Sequence, residues 1–203
     1  MSSDQRRVRD PEGARRTLVQ AGLRLFVQKG YAGTSVQSIV DAAGLTKGAF
    51  YHHFDSKDAL LLKMHDEFID YEIERAREVM DVPGLAQDER LRRLIIESLI
   101  EPMAIFSEEM TVFLSERRFL PDEMFADVIR RREEYEDFFV KVIDDGMREG
   151  VFRKIGPPRI VAFGILGMGA STPAWLDVSG PLSTREIGEV FATMAVDGLR
   201  SSQ

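Results

Sequence analysis

Apolar residues along most of this chain recur at spacings of three and four, and nowhere do β-branched residues alternate over the length of a strand. Gly and Pro fall between the periodic stretches, which reads as helix, stop, helix from end to end. The longest stretch runs from Asp122 to about Glu149. Phe125, Val128, Ile129, Tyr135, Phe139, Val142 and Ile143 recur along it, and Gly150 closes it. An all-α protein is expected. At 203 residues, 44% hydrophobic and 30% charged, the chain has ample material for a core and is not disordered.

The first helix is expected from about Glu12 to Gln28, with Ala14, Leu18, Ala21, Leu25 and Phe26 inward and Lys29-Gly30 as its stop. Thr34-Ser-Val-Gln37 reads as a capping box opening a second helix. Val36, Ile39, Val40 and Ala43 form its buried stripe, and Gly44 ends it. Thr46 caps a third, short helix, Lys47 to about His53, with Phe50 and Phe54 facing the core. Ser56 caps a long fourth helix carrying Leu60, Leu61, Met64, Phe68 and Tyr71, broken at Val82-Pro-Gly84. Helices from Leu91 to Ile100, Ala104 to Phe119 and Asp122 to Glu149 follow. One more begins at Pro157-Pro158, and a last one opens at the capping box Ser183-Thr-Arg-Glu186.

Charge divides the chain as sharply as periodicity unifies it. Residues 1–57 hold nine Lys/Arg against five acids, a balance of +4, and the remainder holds 18 against 29, a balance of −11. A net charge of −7 argues against a nucleic-acid partner, and the split reverses that for the first quarter. Two short helices joined at Gly44 form a helix-turn-helix, whose second helix enters the major groove with its N-terminal residues against base edges. Thr46, Lys47, Gly48, Ala49, Tyr51 and His52 occupy that place. Gly48 and Ala49 leave room for backbone approach, Lys47 can donate to guanine or phosphate, and Tyr51 and Lys57 are placed for flanking phosphates. Arg6, Arg7 and Arg9 form a basic arm suited to the backbone or minor groove.

These residues carry a resemblance. The run Thr34-Ser35…Ile39-Val40…Ala42-Ala43-Gly44-Leu45-Thr46-Lys47-Gly48-Ala49-Phe50-Tyr51-His52-His53-Phe54…Lys57…Leu60 resembles the N-terminal domain of TetR-family transcriptional repressors. Val40 stands where Ala is usual, and Thr46 where Ser is frequent. The resemblance implies a nine-helix homodimer. An N-terminal three-helix DNA-binding domain, 1–57, leads by the fourth helix into a ligand-binding and dimerisation domain, 58–203. It implies operator contacts at Thr46, Lys47, Tyr51, His52 and Lys57, and Thr34 and Ser35 join the DNA-binding set from the same motif. It also implies that the last two helices, within Ile160 to Ala170 and Ile187 to Leu199, form the dimer interface.

The remainder is rich in Phe and Met. Met103, Phe106, Met110, Phe113, Phe139, Phe163, Met168 and Trp175 are the candidates for lining an effector pocket, against the plainer reading that they are ordinary core. Trp175…Gly180-Pro181-Leu182-Ser183 resembles the tail of a TetR subgroup responsive to acyl-CoA thioesters, although further aromatics usual around such a Trp are missing. Arg117, Arg118 and Arg130-Arg131-Arg132 suit a CoA phosphate, or else a solvated face paired with Glu133, Glu134 and Glu136. Gly164-Ile-Leu-Gly167-Met-Gly169 has no preceding strand and reads as close helix packing, not a nucleotide loop.

The expected function is a ligand-responsive repressor that binds palindromic double-stranded operator DNA as a homodimer and is released by a small apolar effector or an acyl-CoA. No cofactor, no metal and no membrane partner is expected. The charged start without an apolar core, the longest apolar run of Ile160 to Ala170, and the lack of Cys point to the cytoplasm. Two rivals remain. A metal-dependent phosphohydrolase would use His65-Asp66 with His52 and His53, and an architectural DNA-binding protein would lack ligand control.

Overall fold

The computed structural model describes residues 11–201, and among them the all-α expectation holds. Nine α-helices follow in order: α1 (Pro11–Lys29), α2 (Val36–Ala43), α3 (Lys47–His53), α4 (Lys57–Met80), α5 (Gln87–Arg93), α6 (Met103–Glu116), α7 (Asp122–Arg148), α8 (Pro158–Ala170) and α9 (Thr184–Leu199). Arg117–Phe119 and Thr172–Ala174 are 3₁₀ turns. Arg6, Arg7 and Arg9 lie outside the described residues.

Helix ends follow from local chemistry. Thr46 Oγ1 accepts the Ala49 N–H at 3.1 Å, and Ser56 Oγ accepts that of Ala59 at 3.0 Å. Ser183 and Glu186 close their box on both sides. Gly44 takes φ +65°, the left-handed conformation that ends α2 at little cost for glycine alone. The box at α2 lies one residue later than expected. Ser35 and Ser38 cap each other, while Gln37 donates to Asp41 at 2.8 Å. Thr34 is buried instead, and its hydroxyl donates to the carbonyls of Gly30 (2.9 Å) and Leu25 (3.3 Å). The shift puts the residue with a methyl group in the core and leaves the smaller, more polar serine to face water.

The expected helix from Leu91 to Ile100 changes character halfway. It is α-helical to Arg93 and π-helical over Leu94–Ile100, where the Glu101 N–H reaches back five residues to the Ile96 carbonyl at 2.9 Å. All its residues but Glu97 are buried, so it presents apolar surface in every direction. Here α9 comes close because Gly188 has no side chain. A Cβ there would lie 3.2 Å from Ile96 Cα.

The long helix α4 runs through the middle of the molecule. Its first turns put Leu60, Leu61 and Met64 into a cluster with Leu18, Phe26, Ile39, Phe50 and Phe54 of the N-terminal segment (the head). Val112, Phe113, Leu120 and Val128 of α6, α7 and the turn between them, part of the remaining body, complete it. Its later turns put Ile69, Ile73, Ala76 and Val79 into a second cluster with the π segment, α7, α8 and α9. Each large side chain so buried contributes roughly 1.5–3 kcal/mol, so α4 is held from both ends of the molecule. Its C-terminus is closed by Arg90, whose guanidinium donates to the carbonyls of Val79, Met80, Val82 and Leu85 at 2.7–3.3 Å.

Candidate DNA-reading face and ligand cavity

On the first face, α3 is anchored by Phe50, fully buried, and Phe54. Its opposite side is thereby turned outward. Thr46, Lys47, Gly48, Tyr51 and His52 are exposed there, Ala49 is half-buried, and Ser35 is exposed at the start of α2. Tyr51 leaves about half its surface in solvent with its ring edge-on to Phe50, so its hydroxyl is held away from the core. This surface offers hydroxyl, ammonium and imidazole groups beside a stretch of backbone without bulk, a set suited to phosphates and base edges.

Thr34 and Lys57 are placed differently from the rest of the expected DNA-binding set. The hydroxyl of Thr34 is committed inside the head, as described above. Lys57 Nζ donates to the carbonyls of Tyr31 (2.7 Å) and Thr34 (2.8 Å) and lies 3.9 Å from the centre of the Tyr31 ring. Burial lowers its pKa, partly offset by Glu116. Tyr31 in turn donates to Asp58 and stacks on Phe119. Lys57 thus ties the α1–α2 loop to α4.

A cavity of about 350 Å³ lies in the body, against the middle of α4. Phe68 and Glu72 of α4, Leu99 of the π segment, Met103, Met110 and Leu114 of α6, and Phe163 and Leu166 of α8 line it. Tyr135 and Glu136 of α7 add polar groups, as do Arg132 and Arg117. Its size is at the lower end for small-molecule sites.

Of the eight expected pocket residues, Met103, Met110 and Phe163 line this cavity. Phe106 packs just behind, with its ring against Phe68 (5.8 Å) and Tyr71 (5.5 Å). The other four lie elsewhere. Phe113 packs against His65 with the two rings tilted, in the head's cluster, and Phe139 is fully buried among α4, α7 and the π segment. Met168 lines an outer groove, and Trp175 is half-exposed beside Phe191. Spacing by threes and fours marks a buried face but not which neighbour it faces, so core and cavity residues look alike in sequence.

Glu72 had no place in the expected site; Tyr135 counted only toward helical periodicity, whereas Arg132 stood among the candidates for a CoA phosphate and Glu136 among their expected partners. A signal existed for Glu72, since Leu61, His65, Phe68, Glu72, Ala76 and Val79 fall on one helical stripe and two of these are ionisable. Glu72 is 2% exposed, and its Oε2 has no hydrogen-bond partner. Burial raises its pKa to about 8 against the opposing pull of Arg132. Tyr135 is also buried, but its hydroxyl donates to the Ser98 carbonyl at 2.9 Å. Among the five arginines considered for an anionic ligand, Arg130 pairs with Asp127 and Arg131 with Asp70. Arg118 lies over Phe119, and only Arg117 and Arg132 reach the cavity. The carboxylates expected to pair with this run turn elsewhere, Glu134 to Arg77 and Glu136 to Arg159.

The outer groove lies between α8 and α9, lined by Ile155, Ile160, Gly164, Met168, Met194 and Gly198. Ile160 and Met194 are each more than 60% exposed, and Val190 is 53% exposed. Contiguous apolar surface of this kind marks an interaction site. The three glycines of α8 divide by neighbour. Gly169 packs on Leu99 within the chain, whereas Gly164 and Gly167 have open space where a Cβ would be.

His65, the centre of the metal-site rival, is fully buried with its ring 4.4 Å from that of Phe113. Burial lowers its pKa, with Asp66 opposing. His52 is exposed on α3, and no group of three or more metal-ligating side chains occurs among the described residues. Nor is any described helix long and apolar enough to cross a membrane.

Comparisons with known proteins match both halves of the chain. Residues 18–64 match the family of bacterial regulatory proteins called tetR, and residues 84–199 match the tetracyclin repressor-like C-terminal domain. The HTH-type transcriptional repressor KstR2 of Mycolicibacterium smegmatis is 26% identical over 194 residues, 95% of this chain and 94% of that protein. The HTH-type transcriptional repressor DhaR of Mycobacterium sp. (strain GP1) is 31% identical over 151 residues, 73% of this chain and 74% of its own. Among solved structures, AibR in complex with isovaleryl coenzyme A and operator DNA superposes with a TM-score of 0.75 at 28% identity, covering 89% of this chain and 97% of AibR.

Proposed function

Because the chain belongs to the TetR family of transcriptional regulators, which are not enzymes, we propose that it is a ligand-responsive repressor that binds a palindromic operator as a homodimer in the cytoplasm. A small, largely apolar effector releases it, and an acyl-CoA thioester is the favoured class. Residues 1–57 act as the reading head and 58–203 as the sensing and dimerising body, with α4 shared between them.

One observation carries this reading. The helix whose first turns, Leu60, Leu61 and Met64, belong to the head's core walls the cavity two turns later with Phe68 and Glu72. A ligand that fills the cavity presses on the same rigid rod that sets the head's angle. Two heads must meet half-sites roughly 34 Å apart, so a modest tilt suffices to lose register. The effector must bind the tilted form better than the DNA-bound form for any shift to occur.

The apolar α8–α9 groove is the surface for the second copy. Thr46, Lys47, Gly48, Ala49, Tyr51, His52 and Ser35 form the DNA-reading set, with Thr34 and Lys57 supporting it from behind. Arg117 and Arg132 suit the anionic end of a thioester, and the volume suits an acyl group with the nucleotide portion outside. The test is mass spectrometry of small molecules that co-purify with the protein, followed by operator-release titration. Compounds that bind but leave the DNA complex intact at saturation would refute ligand control.

A further inference from the structure

We infer that the effector carries a hydroxyl group on its buried apolar portion, received inside the cavity by the carboxyl group of Glu72. This rests on the reading of that cavity as the effector site and names the chemistry the site selects.

Glu72 is a carboxyl on a stripe otherwise made for apolar contact, 2% exposed, facing a cavity lined by Phe68, Leu99, Met103 and Phe163. Its Oε2 is without a hydrogen-bond partner, a state that disfavours the folded chain unless something answers it. The nearby cavity polar groups do not. The Tyr135 hydroxyl is spent on Ser98, Glu136 pairs with Arg159, and no ion pair within 4.0 Å joins Arg132 to Glu72. Burial holds the carboxyl largely protonated at neutral pH. A protonated carboxyl donates through one oxygen and accepts through the other. A ligand hydroxyl matches the carboxyl in either role, accepting from an oxygen that bears the proton and donating to one that does not. A ketone can only accept. A purely aliphatic ligand leaves the carboxyl facing the cavity without a hydrogen-bond partner.

The probes are octanoyl-CoA, hydroxyoctanoyl-CoAs with the hydroxyl at successive chain positions, their keto counterparts, and all the matching free acids. Each is titrated calorimetrically into the full chain, Glu72→Gln and Glu72→Leu. In the wild-type chain at least one hydroxy isomer is expected to bind about tenfold more tightly than octanoyl-CoA. Gln, which also donates and accepts, keeps most of that preference, and Leu abolishes it. Infrared spectra supply a readout without ligand. The carbonyl stretch of a protonated carboxyl is expected in the wild-type chain and not in Glu72→Gln, and it shifts when the hydroxy probe binds.

A wild-type chain that binds octanoyl-CoA but gains nothing from any hydroxyl overturns the Glu72 assignment while leaving the thioester reading intact. Tighter binding of a keto isomer than of its hydroxy counterpart overturns it too, as does a preference that survives in Glu72→Leu. Free acids showing the hydroxyl preference where no thioester binds support Glu72 and refute the thioester. No binding by any probe removes both.

Discussion

A lysine at the first position of a helix ordinarily reaches into solvent, yet Lys57 folds back onto two carbonyls of the preceding loop. Its charge does structural service there, and Lys57→Ala is expected to cost about 2 kcal/mol of stability, read as a lowered Tm. If Tm is unchanged and only the salt slope of operator binding falls, Lys57 is a phosphate contact instead. Glu72 makes a second prediction, in pH. Its pKa is raised, so the folded chain keeps the proton to about pH 8, whereas the unfolded chain releases it near the ordinary 4.5. This contribution is therefore least unfavourable below the unfolded value. It erodes stability as pH climbs from 4.5 to about 8 and is level beyond. Glu72→Gln removes the titration and should be more stable than the wild type by roughly 3 kcal/mol near neutrality, with the gap closing toward pH 4. Urea unfolding across that range checks it, and a gap that does not vary with pH would count against a raised pKa.

Helices in this molecule are ended by specific chemistry and docked by specific gaps. Arg90 gathers four carbonyls at the end of α4 with a planar fork that a single ammonium cannot reproduce. Arg90→Lys is therefore expected to lose about 2 kcal/mol despite conserving charge, and a melt indistinguishable from wild type would show that the fork is dispensable. Where α1 crosses α4, a Cβ on Gly22 would lie 2.4 Å from Leu60 Cδ2. Gly22→Ala must push the two helices apart or displace Leu60, at about 1–3 kcal/mol. Because the same contact seats the head on α4, operator affinity is expected to fall along with stability in the variant. Full affinity with reduced stability would mean that Leu60 alone gives way.

At the scale of the whole molecule, the apolar strip left on α8 and α9 is the surface proposed for the second copy. Met194, 62% exposed beside the groove, is the point to probe. Met194→Glu should leave the fold intact by circular dichroism and shift sedimentation from dimer toward monomer. Operator affinity should then fall by orders of magnitude, because two half-sites are no longer held by one particle. A variant that sediments as a dimer would move the interface elsewhere. The same scale supports the proposed coupling of head to cavity, since α4 is one continuous helix packed into both clusters.

Much of this was already legible in the amino-acid order. The period of three and four, the Ser and Thr caps at Thr46, Ser56 and Ser183, and the glycine stops at Gly30 and Gly44 are local, and local rules placed those helix ends. The exposed set on α3 was legible for the same reason, because burying Phe50 and Phe54 leaves its other side nowhere to go but solvent. What chain order left open were choices between equal local options. Thr34 and Ser35 are both competent caps, and only the packing of a methyl under α1 chose between them. Phe113, Phe139 and Phe163 carry the same side chain at helical spacing, yet one meets His65, one the main core and one the cavity. Lys57 takes its role from carbonyls of a distant loop, and Glu72 and Arg132 take theirs from a cavity that elements far apart in the chain close around them. The tertiary structure decided these, because burial and hydrogen bonding depend on which surfaces meet, and sequence periodicity specifies only that a surface must meet something.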